Sequence, residues 1–245
     1  MKMMCFALRG AREMTRDRLN LAFGAGFPVA LLLLMHLIQS NIPVPLFELE
    51  TLTPGIAVFG FSFLSLFSGM VIAKDRGSSF MMRLLTSPMR ARDFIFGYTL
   101  PLLPMAFAQL VICYGAALFL GLAPTPRLAA ALAAQLPAAL VYIALGLLCG
   151  SVMTDKQVGG ICGALLTNLS AWLSGAWFDL ELVGGGFRAA ADCLPFSHAV
   201  RAGRLALAGE YGLLPAELLW VCGWAAGLLM LAVFVFLRRM RRGRL

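Results

Sequence analysis

Few residues of the chain have the types and spacing that enzymatic chemistry requires. The histidines are His36 and His198. A serine hydrolase inside a membrane needs a G-x-S-G serine that faces a histidine from another helix. The nearest match is Trp172-Leu173-Ser174-Gly175, whose first residue is Trp, and the last apolar run of the sequence has no histidine. An intramembrane hydrolase that uses Ser174 is therefore only a remote alternative.

The cysteines and carboxylates form no recognisable metal or redox motif. The six cysteines are widely spaced, with no C-x-x-C or His-paired spacing, so the sequence predicts no metal ligands and the cysteines are interpreted as small packing residues. No apolar run holds a pair of acidic residues that would serve as a proton relay or a metal cluster. This disfavours an ion- or proton-coupled secondary transporter, which stays the alternative function.

A second set of polar residues lies inside the apolar runs. Burying such groups in lipid is costly, so they are candidates for lining a translocation path. Hydrogen bonds between helices are the competing interpretation. The candidates are Gln109, Gln135, Asn168, Ser170 and Ser174. Small residues in the same runs are predicted to let helices pack closely: Gly146, Gly150, Gly159, Gly160 and Gly163.

The elements that must position these residues are membrane-spanning helices. Of the 245 residues, 60% are hydrophobic and 13% charged, against about 45–50% and about 25% in soluble domains. Six apolar runs are long enough to cross roughly 30 Å of hydrocarbon. They lie at about 21–38, 52–73, 98–120, 128–151, 157–177 and 216–237. The sequence predicts an all-α integral membrane protein with six transmembrane helices, forming a single transmembrane domain over 1–245.

The distribution of basic residues predicts the orientation of these spans. The chain has 20 Lys and Arg against 12 Asp and Glu, a formal charge of +8. Sixteen of the 20 fall in alternate segments, with five each before the first run, between the second and third, and after the last. The positive-inside rule then places both termini in the cytoplasm. Because topology accounts for the basic excess, no nucleic-acid partner is predicted.

Two basic segments have features beyond those of a simple flank. Residues 1–20 have a helical pattern with Arg9, Arg12 and Arg16 on one side and apolar residues on the other, which predicts an interfacial helix in contact with membrane lipid. In the loop 74–97, Ser78 or Ser79 is placed to cap a short helix that must end near Pro88. Its exposed apolar residues require cover by lipid or by a partner protein.

The segment 178–215, between the fifth and sixth runs, is too apolar for a free loop and too short in its apolar pieces to cross the membrane. Residues 187–194 and 196–209 each have a helical pattern, separated at Pro195. The sequence predicts re-entrant or surface-lying helices at the outer leaflet. His198 is expected to have a structural role there.

These three segments, in this order on six spans, resemble the membrane subunit of a type-2 ATP-binding-cassette exporter over nearly the whole chain. The most specific stretch runs from Arg76-Gly77-Ser78 through Arg83-Leu84-Leu85-Thr86-Ser87-Pro88 to Gly97 and Pro101. The second is Leu173-Ser174-Gly175 followed by Leu194-Pro195 and Arg201. The chain departs from the family pattern at Lys74-Asp75, at Ser78-Ser79, and in lacking a proline soon after Gly175.

The resemblance implies a homodimer or heterodimer of such permease subunits in the plasma membrane or bacterial inner membrane, exporting a hydrophobic or amphiphilic substrate. Two separate nucleotide-binding subunits would bind ATP and Mg²⁺. This chain has no G-x-x-x-x-G-K-[ST] sequence, so it is predicted to bind no cofactor and to be no enzyme. The implied coupling helix to the ATPase contains Ser79, Phe80, Arg83, Leu84, Thr86 and Pro88. The implied interfacial connecting helix contains Arg9, Arg12 and Arg16, and the outer helix contains Pro195, His198 and Arg201.

Overall fold

The computed structural model describes residues 7–12, 22–44, 47–78 and 96–241. All regular secondary structure in these ranges is helical. The predicted all-α class is therefore confirmed for the described part of the chain.

Five helices in the described ranges are long and apolar enough to cross a membrane. The first combines a π-helical turn, Ala22–Gly26, with α1, Phe27–Gln39. The second consists of α2, Leu49–Gly60, and α3, Ser62–Arg76, joined at Phe61. The others are Phe96–Phe119, which contains α4 (Leu102–Phe119), α5 (Arg127–Val152), and Leu214–Arg239 within α11 (Leu214–Arg241). They coincide within a few residues with the first four and the sixth predicted runs.

The fifth predicted run, 157–177, is helical but is not among these five. It contains α6 (Asp155–Gly160), a π-helical segment (Ile161–Leu166) and α7 (Thr167–Leu173) in direct succession. A capping box starts α6, because the Thr154 hydroxyl accepts from the Gln157 amide while the Gln157 side chain accepts from the Thr154 amide. The predicted number of six spans therefore depends on this composite helix.

The segment between the fifth run and α11 forms three helices. They are α8 (Leu180–Val183), α9 (Gly185–Cys193) and α10 (Pro195–Ala208). Leu194 is extended because a residue before proline avoids helical geometry, and Pro195 then begins α10. Gly209 ends α10 in the left-handed conformation, with φ of 85°.

Helix α5 lies at the centre of the structure. Helices α3, α10 and α11 pack against it, and α10 also packs against α2 and α11. The interior contains the large side chains Phe61, Tyr142 and Phe196. The Tyr142 ring lies tilted between the other two, at centroid distances of 6.2 Å from Phe61 and 5.4 Å from Phe196. The segment between the fifth run and α11 is thus built into the helix bundle through α10.

Glycines bring α3 and α5 into backbone contact. A Cβ on Gly150 would overlap the backbone of Gly69, and one on Gly146 would overlap the Ser65 carbonyl. The packing role predicted for Gly146 and Gly150 is confirmed. For Gly159 and Gly160 that prediction is wrong within the described chain, because a Cβ on either meets no atom within 4 Å.

Candidate functional site

The residues predicted to form the coupling helix, Ser79, Phe80, Arg83, Leu84, Thr86 and Pro88, lie outside the described residues, as does Arg16 of the interfacial helix. The helices that enter and leave this loop are described up to Ser78 and from 96 onwards. The Ser78 hydroxyl donates to the Asp75 carbonyl at 2.8 Å, at the end of α3. The end of α3 and the start of the third spanning helix therefore form the base of the loop 74–97.

Asp75 joins three segments at the loop base. Its carboxylate, with a side chain only 8% exposed, accepts from the Arg9 guanidinium at 3.2 Å and from the Tyr98 hydroxyl at 2.9 Å. Arg9 belongs to the helical segment 7–12, and Tyr98 to the start of the third spanning helix. A buried carboxylate that is paired and hydrogen-bonded in this way holds its partners in one arrangement, since losing either leaves a buried charge incompletely satisfied.

Two arginines bind the backbone at the end of α5, beside this base. Arg76 donates to the carbonyls of Gly150 at 2.6 Å and Met153 at 3.4 Å. Arg239 of α11 donates to the Val152 carbonyl at 2.8 Å. The last carbonyls of a helix have no partners within it and carry partial negative charge, so guanidinium groups are favourable there. The ends of α3, α5 and α11 are tied together by these bonds.

The segment 7–12 is helical, and its two described arginines differ in environment. Arg9 is partly buried against Asp75, whereas Arg12 is exposed. On the side predicted to be apolar, Ala7 is buried and Leu8 is exposed. The Arg9 side chain thus contacts α3, a contact that the amphipathic pattern did not indicate.

The two interior amides bind helix α2. Gln135 is fully buried, accepts from the Tyr114 hydroxyl at 2.9 Å and donates to the Pro54 carbonyl at 2.9 Å. Gln109 donates to the Ala57 carbonyl at 3.5 Å. Each amide occupies space that a glycine leaves open, because a Cβ on Gly203 would overlap Gln135 and one on Gly60 would overlap Gln109. The amides connect α2 with α5 and α4.

The polar residues of the composite helix separate into two environments. Ser170 and Ser174 are buried, and their hydroxyls donate to the Thr167 and Ala171 carbonyls one turn back. Asn168 is exposed and donates to the Ala164 carbonyl at 2.8 Å. Asn168 therefore does not share the buried face of the two serines.

The predicted outer-helix residues form a charged cluster across α9, α10 and α11. The two ring nitrogens of His198 lie 2.5 Å from the Glu217 carboxylate and 2.9 Å from the Asp192 carbonyl. Arg201 donates to the Asp192 carboxylate at 2.7 Å and lies 3.5 Å from Glu217. Pro195 begins the helix that carries both. Arg201 also lies 3.1 Å from Nδ1 of His198, so the histidine ring is held among residues of α9, α10 and α11.

A cavity of about 390 Å³ has mainly apolar lining residues together with two charged ones, Asp179 and Arg204. Its lining residues are Phe47, Thr51, Leu52, Ala176, Trp177, Phe178, Asp179, Leu182 and Arg204. Arg204 donates to the carbonyls of Thr51 and Gly175, each at 2.9 Å. Burial lowers the pKa of the Arg204 guanidinium from its usual value, and the charge of Asp179 opposes that shift. The sequence analysis did not predict Arg204 as a site residue. The feature that could have indicated it is an arginine within a largely apolar helical segment.

Aromatic side chains extend from this cavity along α1, α2 and α3. The Trp177 ring lies 5.3 Å from Phe59, between ring centroids, and Phe63 lies 6.4 Å from Phe59. Phe27 of α1 packs edge-on against Phe63 at 5.7 Å. The cavity therefore adjoins a continuous aromatic wall.

Comparison with known proteins gives one family. The family model of the ABC-2 type transporter matches residues 3–207 of the chain. No curated protein matches the sequence significantly. The matched range contains the loop base at Asp75, the interior amides and nearly all of α10.

Proposed function

The chain belongs to the ABC-2 type transporter family, so it is a permease subunit of a multi-pass membrane transporter, and we propose that it exports a hydrophobic or amphiphilic substrate. A separate ATPase subunit, with ATP and Mg²⁺ bound to it, would drive the transport. The membrane would be the plasma membrane or bacterial inner membrane, with both termini in the cytoplasm. Two permease subunits, identical or different, would form the complex.

The observation that carries the ATP-driven mechanism is the bonded base of the loop 74–97. An ATPase shifts the permease between states only through contacts that differ between those states. A loop that moved freely would transmit nothing to the spans. Asp75 is bonded to Arg9 and Tyr98, and Arg76 to the end of α5, so movement of the loop would be passed to several helices together. This arrangement supports coupling through Ser79, Phe80, Arg83, Leu84, Thr86 and Pro88.

The cavity lined by Arg204 and Asp179 supports the proposed class of substrate. Aromatic and aliphatic side chains bury apolar surface, and ligand pockets of this kind use a few polar groups to orient the ligand. Arg204 and Asp179 supply these charges at one side, while Phe47, Trp177 and Phe178 supply the apolar walls. An amphiphile with a charged or zwitterionic head and an apolar body fits this lining.

The intramembrane polar residues contribute differently to the proposed path. Gln109, Gln135, Ser170 and Ser174 have hydrogen-bond partners inside the chain, which supports the interhelical and intrahelical interpretation of these residues. Asn168 is exposed and remains the candidate for lining a path between subunits. The proposed substrate contacts are therefore the cavity at Arg204 and the exposed side of the composite helix.

Purification of the chain from native membranes tests the proposal. We expect a nucleotide-binding subunit to co-purify and the complex to show vanadate-sensitive ATPase activity. Substitution Arg83→Ala is expected to reduce substrate export while the chain still inserts, and Lys156→Ala on α6 is the control. Recovery without an ATPase, together with export that runs on a proton or sodium gradient, would instead establish a secondary transporter.

A further inference from the structure

Two opposite charges line the cavity at Arg204 without pairing with each other. Arg204 donates from Nε to the Thr51 carbonyl and from Nη2 to the Gly175 carbonyl. Asp179 accepts from the Glu181 amide with one carboxylate oxygen. Among the described residues, neither side chain forms an ion pair. Arg204 Nη1 and the second carboxylate oxygen of Asp179 are therefore left for a ligand.

The two charged groups differ in exposure. The Arg204 side chain is partly buried, whereas Asp179 is exposed. Burial deprives the guanidinium of hydration, which lowers its pKa, and the Asp179 charge acts against that shift. A cation that has lost part of its hydration is stabilised by a further anionic contact. The cavity thus combines an enclosed cation with an exposed carboxylate.

We propose that this cavity binds the zwitterionic head of an amphiphile, with the anionic group at Arg204 and the cationic group at Asp179. The inference rests on the proposed function and deepens it, because the cavity is one of the substrate contacts proposed there. Lipids with a phosphocholine or phosphoethanolamine head have this chemistry. Their phosphate lies between the apolar body and the ammonium group. That order matches a partly buried guanidinium and an exposed carboxylate.

Charge balance distinguishes a zwitterion from an ion of either sign. Arg204 and Asp179 together have no net charge, and the other lining residues are uncharged. A zwitterion leaves this sum at zero, whereas an anion or a cation adds an unpaired charge. An unpaired charge against an apolar lining is costly, because such a lining solvates it poorly. The lining therefore favours a head that has both charges.

Aromatic rings next to the carboxylate favour the cationic group. Trp177 and Phe178 directly precede Asp179, and all three line the cavity. A cation within about 6 Å of a ring centroid is attracted to the ring face, most strongly to that of tryptophan. The volume of about 390 Å³ lies within the usual range for ligand pockets. An ammonium group can thus pair with Asp179 and contact the rings in the same cavity.

The test measures binding of octylphosphocholine, octyl phosphate and octyltrimethylammonium to the full chain in maltoside micelles. The three ligands share one apolar body and differ in the charge of the head. Of the four tryptophans, Trp172, Trp220 and Trp224 are exposed and are replaced by phenylalanine in the reference protein. The fluorescence of Trp177 then reports occupation of the cavity. We expect octylphosphocholine to bind about tenfold more tightly than either ion, the effect of one charge-assisted contact.

Asp179→Asn separates the proposed contact from a folding defect. Asparagine keeps the oxygen that accepts from the Glu181 amide at the start of α8, and it caps helices as well as aspartate does. We expect octylphosphocholine to lose affinity several-fold and octyl phosphate to gain affinity, with an unchanged Tm. Glu181→Gln is the matched control, since Glu181 is exposed, lies outside the cavity lining and pairs with Arg188. Arg204→Gln is expected to shift the preference towards octyltrimethylammonium.

Two results would overturn the inference. The first is equal binding of the three ligands to the reference protein, or tightest binding of one of the ions. The second is an unchanged order of affinities in an Asp179→Asn protein that elutes and melts as the reference protein does. The assay contains no ATP and no ATPase, so its result is separate from that of the co-purification experiment. A missing ATPase would contradict the ATP-driven function alone, whereas lost selectivity beside a co-purified ATPase would contradict the zwitterion site alone.

Discussion

At the scale of single residues, glycines allow α3 and α5 to approach each other closely. Gly146 and Gly150 are four residues apart on α5, so they lie on one face of the helix. Gly69 meets this face from α3. Membrane helices associate through packing and hydrogen bonds, because lipid removes the hydrophobic driving force between them. The Ser68 hydroxyl adds such a bond, to the Ile143 carbonyl at 3.2 Å.

Substitution Gly150→Ala is expected to destabilise the protein. Its Cβ would overlap the backbone of Gly69, and forced overpacking typically costs about 1–3 kcal/mol. Gly159→Ala is the matched control, because that position is open and alanine is favoured over glycine in a helix by roughly 0.5–1 kcal/mol. Equilibrium unfolding in mixed micelles measures both. Equal stability of the two variants would contradict backbone contact between α3 and α5.

Gln135→Leu tests whether the interior amide holds the bundle together. The substitution leaves the Tyr114 hydroxyl and the Pro54 carbonyl without their partner, and each unsatisfied buried group costs about 1–3 kcal/mol. Asn168→Ala, on the exposed side, is expected to change stability by less than about 0.5 kcal/mol. The measurement is the free energy of unfolding of both variants under the same conditions. If Gln135→Leu left stability unchanged but abolished transport, Gln135 would be assigned to the translocation path instead.

At the scale of elements, the helices themselves were predictable and their partners were not. Apolar length gives a span directly, and Pro195 and Gly209 mark the ends of α10 through local backbone chemistry. The insertion of α10 among α2, α5 and α11 depends on Gly203, whose missing side chain admits the Gln135 amide. That contact joins residues far apart in the sequence, so no local pattern contains it. The π-helical geometry of Ile161–Leu166 was likewise not predicted from the sequence.

Arg204→Lys tests how α10 is fixed to its neighbours. The guanidinium donates from two different nitrogens to Thr51 and Gly175, and a lysine ammonium cannot reproduce that fork. We expect a loss of about 1–2 kcal/mol in stability, within the range for hydrogen bonds from charged groups. Arg188→Lys is the control, because Arg188 pairs with Glu181 and Asp192 at the exposed surface, where ion pairs contribute about 0–1 kcal/mol. Thermal unfolding that shifts equally in both variants would contradict the fixing role.

At the scale of the whole molecule, the sequence predicted the family correctly, but not the contacts at the base of the loop 74–97. Asp75 was noted only as a departure from the family pattern. Arg9 lies 66 residues before it and Tyr98 lies 23 residues after it. Only the folded chain brings these three together. The charge count showed that both segments are basic, without showing that one binds the other.

Asp75→Asn is expected to reduce coupling between ATP hydrolysis and export. The asparagine keeps an acceptor for Tyr98 but removes the charge that pairs with Arg9. Under the proposed function, ATPase activity of the complex should persist while export per ATP falls several-fold. Asp155→Asn on α6 is the control, since Asp155 is exposed and hydrogen-bonds only its neighbouring Lys156 amide among the bonds described for it. Equal export per ATP in the two variants would remove Asp75 from the coupling pathway.

The orientation of the whole chain depends on whether the composite helix 155–173 crosses the membrane. With six spans, Lys156 and the C-terminus lie in the cytoplasm, whereas Asn41 and Gly186 lie outside. Without this crossing, positions 156 and 186 would lie on the same side, and the C-terminus would be opposite the N-terminus.

Single cysteines at 41, 156, 186 and 244, in a protein whose own exposed cysteines are replaced, distinguish the two arrangements. An impermeant maleimide added to intact cells should label positions 41 and 186 alone. Labelling of positions 41 and 244, with none at 186, would reduce the number of spans to five. Three glycines lie in this helix: Gly159, Gly160 and Gly163. Because glycine weakens a helix by its backbone freedom, this is the predicted span whose crossing most needs the test.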